Sequence, residues 1–340
     1  MKILERTGII RHVRGRRGEA IAILLLTILA AMGPFVLLTW RAVGDTKADI
    51  EAERLRLAQL ASAQADRILN EAFLEIEFAS ALVPASEDGD SVPSDGTPLR
   101  TFYGQAASFS AGVVLLDGNR TLVLAEPASA ARGLDRGPPG RAISQAASAT
   151  DRAVSEPFIS PVTGHLVAAL SVPLFGDDGG RTGTMIGLLD LTEPLIADLV
   201  EPARLLGSTG HADLVDERGL VLASTEQAHI LTPGDHPEFY ARMAEVRTPS
   251  VERVRHRPDG QDGEQSQWHV MAYAPLRGAP WGIALGASEA ETVGGANELR
   301  RTLVILAVAA AAVLLVGGAL IIRRIPPTPQ SRNGVGSVLR

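Results

Sequence analysis

Two uninterrupted apolar stretches, one near each end of the chain, limit what it can fold into more than any other feature. Residues 20–40 read AIAILLLTILAAMGPFVLLTW and residues 302–322 read TLVILAVAAAAVLLVGGALII, each 21 residues without a charge. At about 1.5 Å per residue either makes a helix roughly 30 Å long, the depth of a bilayer's hydrocarbon core. A helix buried in a soluble core seldom runs so far without a polar face. Both stretches are therefore expected to span a membrane. The first is longer than the apolar core of a cleaved signal peptide, and no small-residue cleavage pattern precedes Arg41, so it is expected to remain as an anchor.

Charge orients the spans. Residues 1–18 hold six basic residues against Glu5, and residues 323–340 hold Arg323, Arg324, Arg332 and Arg340 with no acid. Between residues 19 and 322 there are 22 basic and 38 acidic residues, a balance of −16. Short basic ends stay in the cytoplasm while a long acidic segment crosses. A two-pass protein of the inner membrane is expected, with both termini cytoplasmic and residues 41–301 extracytoplasmic. The acidic balance also argues against a nucleic-acid partner, which a basic stripe would have to meet. The absence of cysteine removes disulfides, thiol catalysis and thiolate metal sites.

Within the exported segment, residues 45–82 contain no Gly or Pro. Leu57, Leu60, Ala61, Ala65, Ile68, Leu69, Ala72, Phe73, Ile76 and Ala79 recur at helical spacing, which predicts one long amphipathic helix. Its apolar stripe suits packing on its own domain, a dimer seam, or both along different parts of its length. Residues 83–98 read as a loop. Short strands follow: 111–116 and 121–125 around Asp117-Gly118-Asn119, then 166–175 and 184–191, then a helix over 194–205. The arrangement recurs as strands 212–216 and 220–224, a helix over 236–246, and strands 251–256, 268–276 and 281–286. Ser288-Glu289-Ala290-Glu291 has capping-box spacing and opens a helix into the second apolar stretch. The fold class expected is α+β, with two repeated antiparallel-sheet units behind a long N-terminal helix, flanked by two transmembrane helices.

This layout resembles the double Cache family of extracytoplasmic sensor domains, found on bacterial chemoreceptors and sensor histidine kinases. Three stretches carry the resemblance. Residues 155–165, SEPFISPVTGH, are similar to the family's strand and turn before its central hairpin. Residues 168–174 followed by Gly179, Gly180 and Gly183 are similar to the hairpin itself. Residues 269–276 with Pro280-Trp281-Gly282 are similar to the closing hairpin. The resemblance implies PAS-like units at 99–205, distal to the membrane, and 206–287, proximal to it. The remaining segments are then a basic N-terminus (1–19), a first span (20–40), a stalk helix with its loop (41–98), a second stalk helix (288–301), a second span (302–322) and a short cytoplasmic tail (323–340). It also implies a small-molecule ligand in the distal unit. The amino-acid-binding members' pattern is not met: Leu134-Asp135-Arg136 leads into Gly137-Pro138-Pro139 instead of aromatics. Leu188 falls where an Asp is expected, with Asp190 at a neighbouring position assigned to the other side of the strand.

The residues left near such a pocket are Tyr103, Arg136, Arg141, Phe158 and His165. An arginine there can pair with a carboxylate through two parallel hydrogen bonds. No catalytic residue, metal site or cofactor is expected. There is no G-x-S-x-G, the glycines of residues 176–183 carry no Lys for a phosphate loop, and His211, Asp213, His229 and His236 show no ligand spacing. Asn119-Arg120-Thr121 matches the glycosylation pattern, a short pattern that recurs by chance. The 18 residues after Ile322 cannot form an output module, so a separate signalling protein is the expected partner, alongside the lipid bilayer and a homodimer through stalk and membrane helices. The expected function is a non-enzymatic membrane sensor. The alternatives are a scaffold whose Cache-like domain binds another exported protein, or a truncated chemoreceptor or sensor kinase.

Overall fold

The computed structural model describes residues 6–82, 96–256 and 267–324. Most of the expected loop at 83–98 and nearly all of the tail at 323–340 lie outside the described residues. The chain divides into two compact units, Met1–Ala48 with Val293–Arg340, and Asp49–Thr292. In the first unit the apolar stretches belong to the helices α1 (Arg6–Leu82) and α6 (Glu289–Arg324). Among the described residues one segment, Arg301–Leu320, is long and apolar enough to cross a membrane, with mean hydropathy 2.8.

The second unit is α+β and holds two antiparallel sheets. After α1 comes α2 (Thr97–Tyr103), then β1 (Val113–Asp117), β2 (Leu122–Glu126), α3 (Gly137–Ser148), β3 (Ala153–Val154), β4 (Phe158–Ile159), β5 (Leu166–Phe175) and β6 (Arg181–Asp190). The first sheet runs β2-β1-β6-β5-β3, with β4 also on β5. A short α4 (Pro194–Ala197) and a 3-10 turn over Glu201–Leu206 lead to β7 (His211–Val215), β8 (Val221–Ser224), α5 (Pro237–Val246), β9 (Ser250–Arg255), β10 (Trp268–Pro275) and β11 (Gly282–Ser288). The second sheet runs β8-β7-β11-β10-β9, repeating the order of the first.

Both faces of the first sheet are covered, which explains why β5 and β6 read as continuous apolar runs and do not alternate. On one face the α1 stripe, from Ala65 to Ala79, packs on Val113, Leu115, Ala168, Leu170 and Met185. On the other, Ala142, Ile143, Ala146 and Ala147 of α3 pack on Val114, Ile186 and Leu188. The same side of α1 also meets Leu214, Leu276, Trp281 and Ile283 of the second sheet unit. Phe73 and Ile76 are at most 2% exposed. Each such side chain contributes about 1.5–3 kcal/mol on burial, far above helix propensity, so the stripe holds α1 in place. The Phe109 ring packs against β6 where Gly187 leaves room: a Cβ there would come within 2.4 Å of it.

Three expectations are corrected. The single helix over 194–205 is interrupted, because Pro202 lacks an N–H and restarts the chain as a tighter turn. Leu188 and Asp190 lie two residues apart on the continuous strand β6, pairing with Ala169 and Val167, so they share one face. Helices α2 and α3, which the sequence did not suggest, open with Pro at N1 or N2, where its missing N–H costs nothing.

Candidate functional site

In the first sheet unit, the face turned to α3 carries a cleft of about 560 Å³ between that helix and the β1–β2 hairpin. Val114 and Leu116 of β1, Leu122 of β2, and Leu134 and Ile143 give it apolar walls. Arg120, Thr121, Asp135 and Ser144 supply its polar groups. A mostly apolar cleft of this size with a few convergent polar groups suits a small organic molecule.

The polar groups are held by local geometry. Asp117 accepts the Thr121 N–H at 2.7 Å and closes the hairpin turn. Arg120 sits in that turn at φ 64°. From there Nη1 donates to Ser148 Oγ at 2.7 Å, and Ser148 Oγ donates to the Ser144 carbonyl at 2.6 Å. The guanidinium therefore bridges from the hairpin to the last turn of α3. Arg181 caps that same helix end, donating to the carbonyls of Ala147 and Ala149 at 2.8 and 2.7 Å. Burial first, then the neighbouring charge of Arg120, lowers the Arg181 pKa below its usual value. Two guanidinium groups thus give this end of the cleft a positive field, with Asp135 as the negative group of the lining.

The five residues singled out from sequence lie elsewhere or at the margin. Tyr103 ends α2, packs against the α1-side core and donates its hydroxyl to the Ser110 carbonyl at 3.0 Å. Arg136, just before α3, is 87% exposed and pairs with Asp135 at 3.2 Å. Arg141 lines an open depression of about 510 Å³ with Asp135 and Ser144, both of which also line the cleft. Phe158 is 4% exposed within the core beneath α3. His165 places Nδ1 2.7 Å from Asp190 Oδ2. Asp190 also accepts the Thr192 N–H at 2.8 Å and its hydroxyl at 2.6 Å, which closes the end of β6. The cleft brings none of the five into its lining. It does bring in Arg120, which the sequence showed only as part of a turn.

A family model described as a Cache domain matches residues 41–296. Among solved structures, the ligand-binding domain of the Pseudomonas aeruginosa PAO1 chemoreceptor PctB, in complex with L-Arg, is 18% identical with a TM-score of 0.53, over 71% of this chain and 96% of that one. The ligand-binding domain of the Pseudomonas fluorescens chemoreceptor CtaA, in complex with L-isoleucine, is 17% identical with a TM-score of 0.52, over 74% and 97%. The extracellular domain of the putative histidine kinase rpHK1S-Z16 is 17% identical with a TM-score of 0.53, over 72% and 96%. At these identities the likeness is one of fold. Among curated proteins, none matched the chain. With the long helix, the repeated strand order and a match spanning most of its length, the chain belongs to the double Cache family.

Proposed function

We propose that the chain is a membrane-anchored extracytoplasmic sensor, itself non-catalytic, that binds a small ligand in the cleft of its first Cache unit. The cleft carries this reading: apolar walls of Val114, Leu116, Leu134 and Ile143, with a cation on Arg120 and an anion on Asp135 in one lining. Arg120 suits a carboxylate, which a guanidinium meets through two parallel hydrogen bonds. Asp135 suits an ammonium group. A small carboxylate or zwitterion with a short apolar body satisfies both. The PctB and CtaA domains, which share the fold, hold L-Arg and L-isoleucine.

The basic flanks and two charge-free stretches support a two-pass anchor with both ends in the cytoplasm. Ligand binding would favour one arrangement of α1 and α6 by no more than its differential affinity for the two states. A separate signalling protein then receives the change. Leu74, Phe78 and Leu82, spaced four apart on α1, are 53%, 64% and 45% exposed. That apolar strip supports a homodimer through the stalk.

The test is a thermal-shift screen of the full chain in lipid nanodiscs against small carboxylates, amines and amino acids. A ligand at 100 times its Kd stabilises by about 2.7 kcal/mol, which a melting curve resolves. Arg120→Ala is expected to abolish the shift while leaving the unliganded melting temperature close to wild type. A panel with no shift on the folded chain, or a shift that survives Arg120→Ala, would remove this reading.

A further inference from the structure

The face of the second sheet turned towards α5 corresponds, by the repeated strand order, to the cleft face of the first. Here it carries histidines. His211 opens β7 opposite Gly286 of β11, and His269 lies on β10 opposite Ser288 of β11. Strands β7 and β10 are two spacings apart, about 9.6 Å. Gly286 lies between them with no side chain; a Cβ there would come within 2.3 Å of Met271 Sδ. The two imidazoles lean together, with ring centroids 5.2 Å apart. His236, at the N-cap of α5, comes in from the opposite layer, 5.2 Å from each of the other two rings. His211, His236 and His269 are 7%, 1% and 4% exposed.

Counting donors and acceptors shows what these rings lack. His211 Nδ1 lies 3.2 Å from the Thr209 carbonyl, and His236 Nδ1 lies 3.2 Å from the Arg255 carbonyl. A carbonyl only accepts, so in each neutral ring the proton sits on Nδ1 and Nε2 is a bare lone pair. Those two Nε2 atoms face one another at 3.2 Å. Two lone pairs at that separation repel unless an electron-poor centre joins them. His269 Nδ1 is buried with no hydrogen-bond partner.

Each of the three rings offers one nitrogen within 4.8 Å of the others. Two nitrogens on one tetrahedral zinc, at 2.0–2.1 Å from the metal, are about 3.3 Å apart. A backbone carbonyl on the far ring nitrogen is the usual companion of a metal-bound histidine, since it fixes the tautomer. We propose that His211, His236 and His269 bind one first-row divalent cation of the zinc class in the second Cache unit. Three neutral imidazoles suit zinc, nickel or copper and not calcium or magnesium. Asp235, 6% exposed and next to His236 in the chain, adds a negative charge behind the site, 3.6 Å from His256 Nδ1 and 3.4 Å from His229 Nε2. His256 stacks on His269 with centroids 4.3 Å apart and steadies that ring. The cation joins β7, β10 and the start of α5, and it does so independently of the cleft in the first unit.

The test uses the full chain, without a polyhistidine tag, stripped with chelator and titrated with Zn2+ under calorimetry and elemental analysis. One zinc per chain, a rise in melting temperature and, with Co2+, the visible bands of a four-coordinate site are expected. His236→Ala and His269→Gln should each weaken zinc by at least about 100-fold, while Arg120→Ala leaves it unchanged. X-ray absorption on the zinc-loaded wild-type chain should show imidazole scattering, a readout that needs no variant to fold. Competition with Ni2+ and Cu2+ ranks the metals within the class. Substoichiometric zinc, zinc shells without imidazole, or unchanged affinity in folded His236→Ala and His269→Gln chains would overturn the proposal. None of these results bears on ligand binding to the cleft.

Discussion

Glu291, in the first turn of α6, accepts the Ser208 and Thr209 N–H groups at 2.6 and 2.8 Å, and also the Thr209 hydroxyl. The Thr209 hydroxyl, followed by the two backbone donors, holds its carboxyl down to about 2 against an ordinary 4.5. The charged form is the one that is bound, so this contact stabilises the fold above pH 4.5 and is lost as pH falls towards 2. The side chain is exposed, so salt weakens the effect. Glu291→Gln should melt lower at neutral pH and show a flatter pH dependence between 4.5 and 2 by calorimetry. Parallel curves for the two proteins would remove the role. At this scale little was legible from sequence. Glu291 stood out as the last residue of a capping box, yet its partners lie 82 and 83 residues away. Arg120 read as part of a turn. The three histidines are far apart in the chain, so no local spacing marked them: the pairing of β7 and β10 with β11 brings His211 and His269 together, and the start of α5 brings His236.

Among the elements, α1 was legible because its apolar residues keep a helical period over many turns. Which of them face the domain was not. Ala65, Ile68, Leu69, Ala72, Phe73, Ile76 and Ala79 are buried, whereas Leu60 of the same stripe is 66% exposed. Leu74 and Phe78 fall outside the stripe and stay open to a partner. Each would contribute about 1.5–3 kcal/mol if covered by a second copy. Leu74→Glu and Phe78→Glu should each weaken self-association of the full chain at least about tenfold, read as mass against concentration by light scattering. A wild-type chain that stays monomeric at high concentration, or masses unchanged by either substitution, would exclude self-association through α1. Helix α3 was not legible because it opens on Gly137-Pro138-Pro139-Gly140, a string that reads as a loop. Its Pro residues occupy positions that need no N–H, and the Gly140 N–H already returns to the Arg136 carbonyl at 3.1 Å. The β5–β6 pair was found because its apolar run and glycine turn survive without any alternation.

Over the whole domain, the order of strand pair, helix and antiparallel strands was legible in the second unit, and in the first only its two strand pairs were, because α3, β3 and β4 between them gave no signal. What closes the domain was not legible. Arg54 of α1, 4% exposed, donates to the Val270 carbonyl of β10 at 2.7 Å and to the Thr292 hydroxyl of α6. These contacts span 216 and 238 residues, so nothing nearby in the chain announces them. Burial lowers the Arg54 pKa, an effect opposed by Glu291 and Glu53. Arg54→Met should cost about 1–3 kcal/mol, because it leaves buried acceptors without donors. Arg54→Lys should restore only part of that in chemical denaturation, since one ammonium cannot match the guanidinium's spread of donors.

Strand β11 is the middle strand of the second sheet and ends at Ser288; α6 begins at Glu289. There is no connector between them, and Ser288 Oγ accepts the Glu291 N–H at 3.2 Å across the junction. A joint without intervening residues has no play. The first turn of α6 is thereby seated on the end of the sheet's central strand, with no residue between them to take up slack.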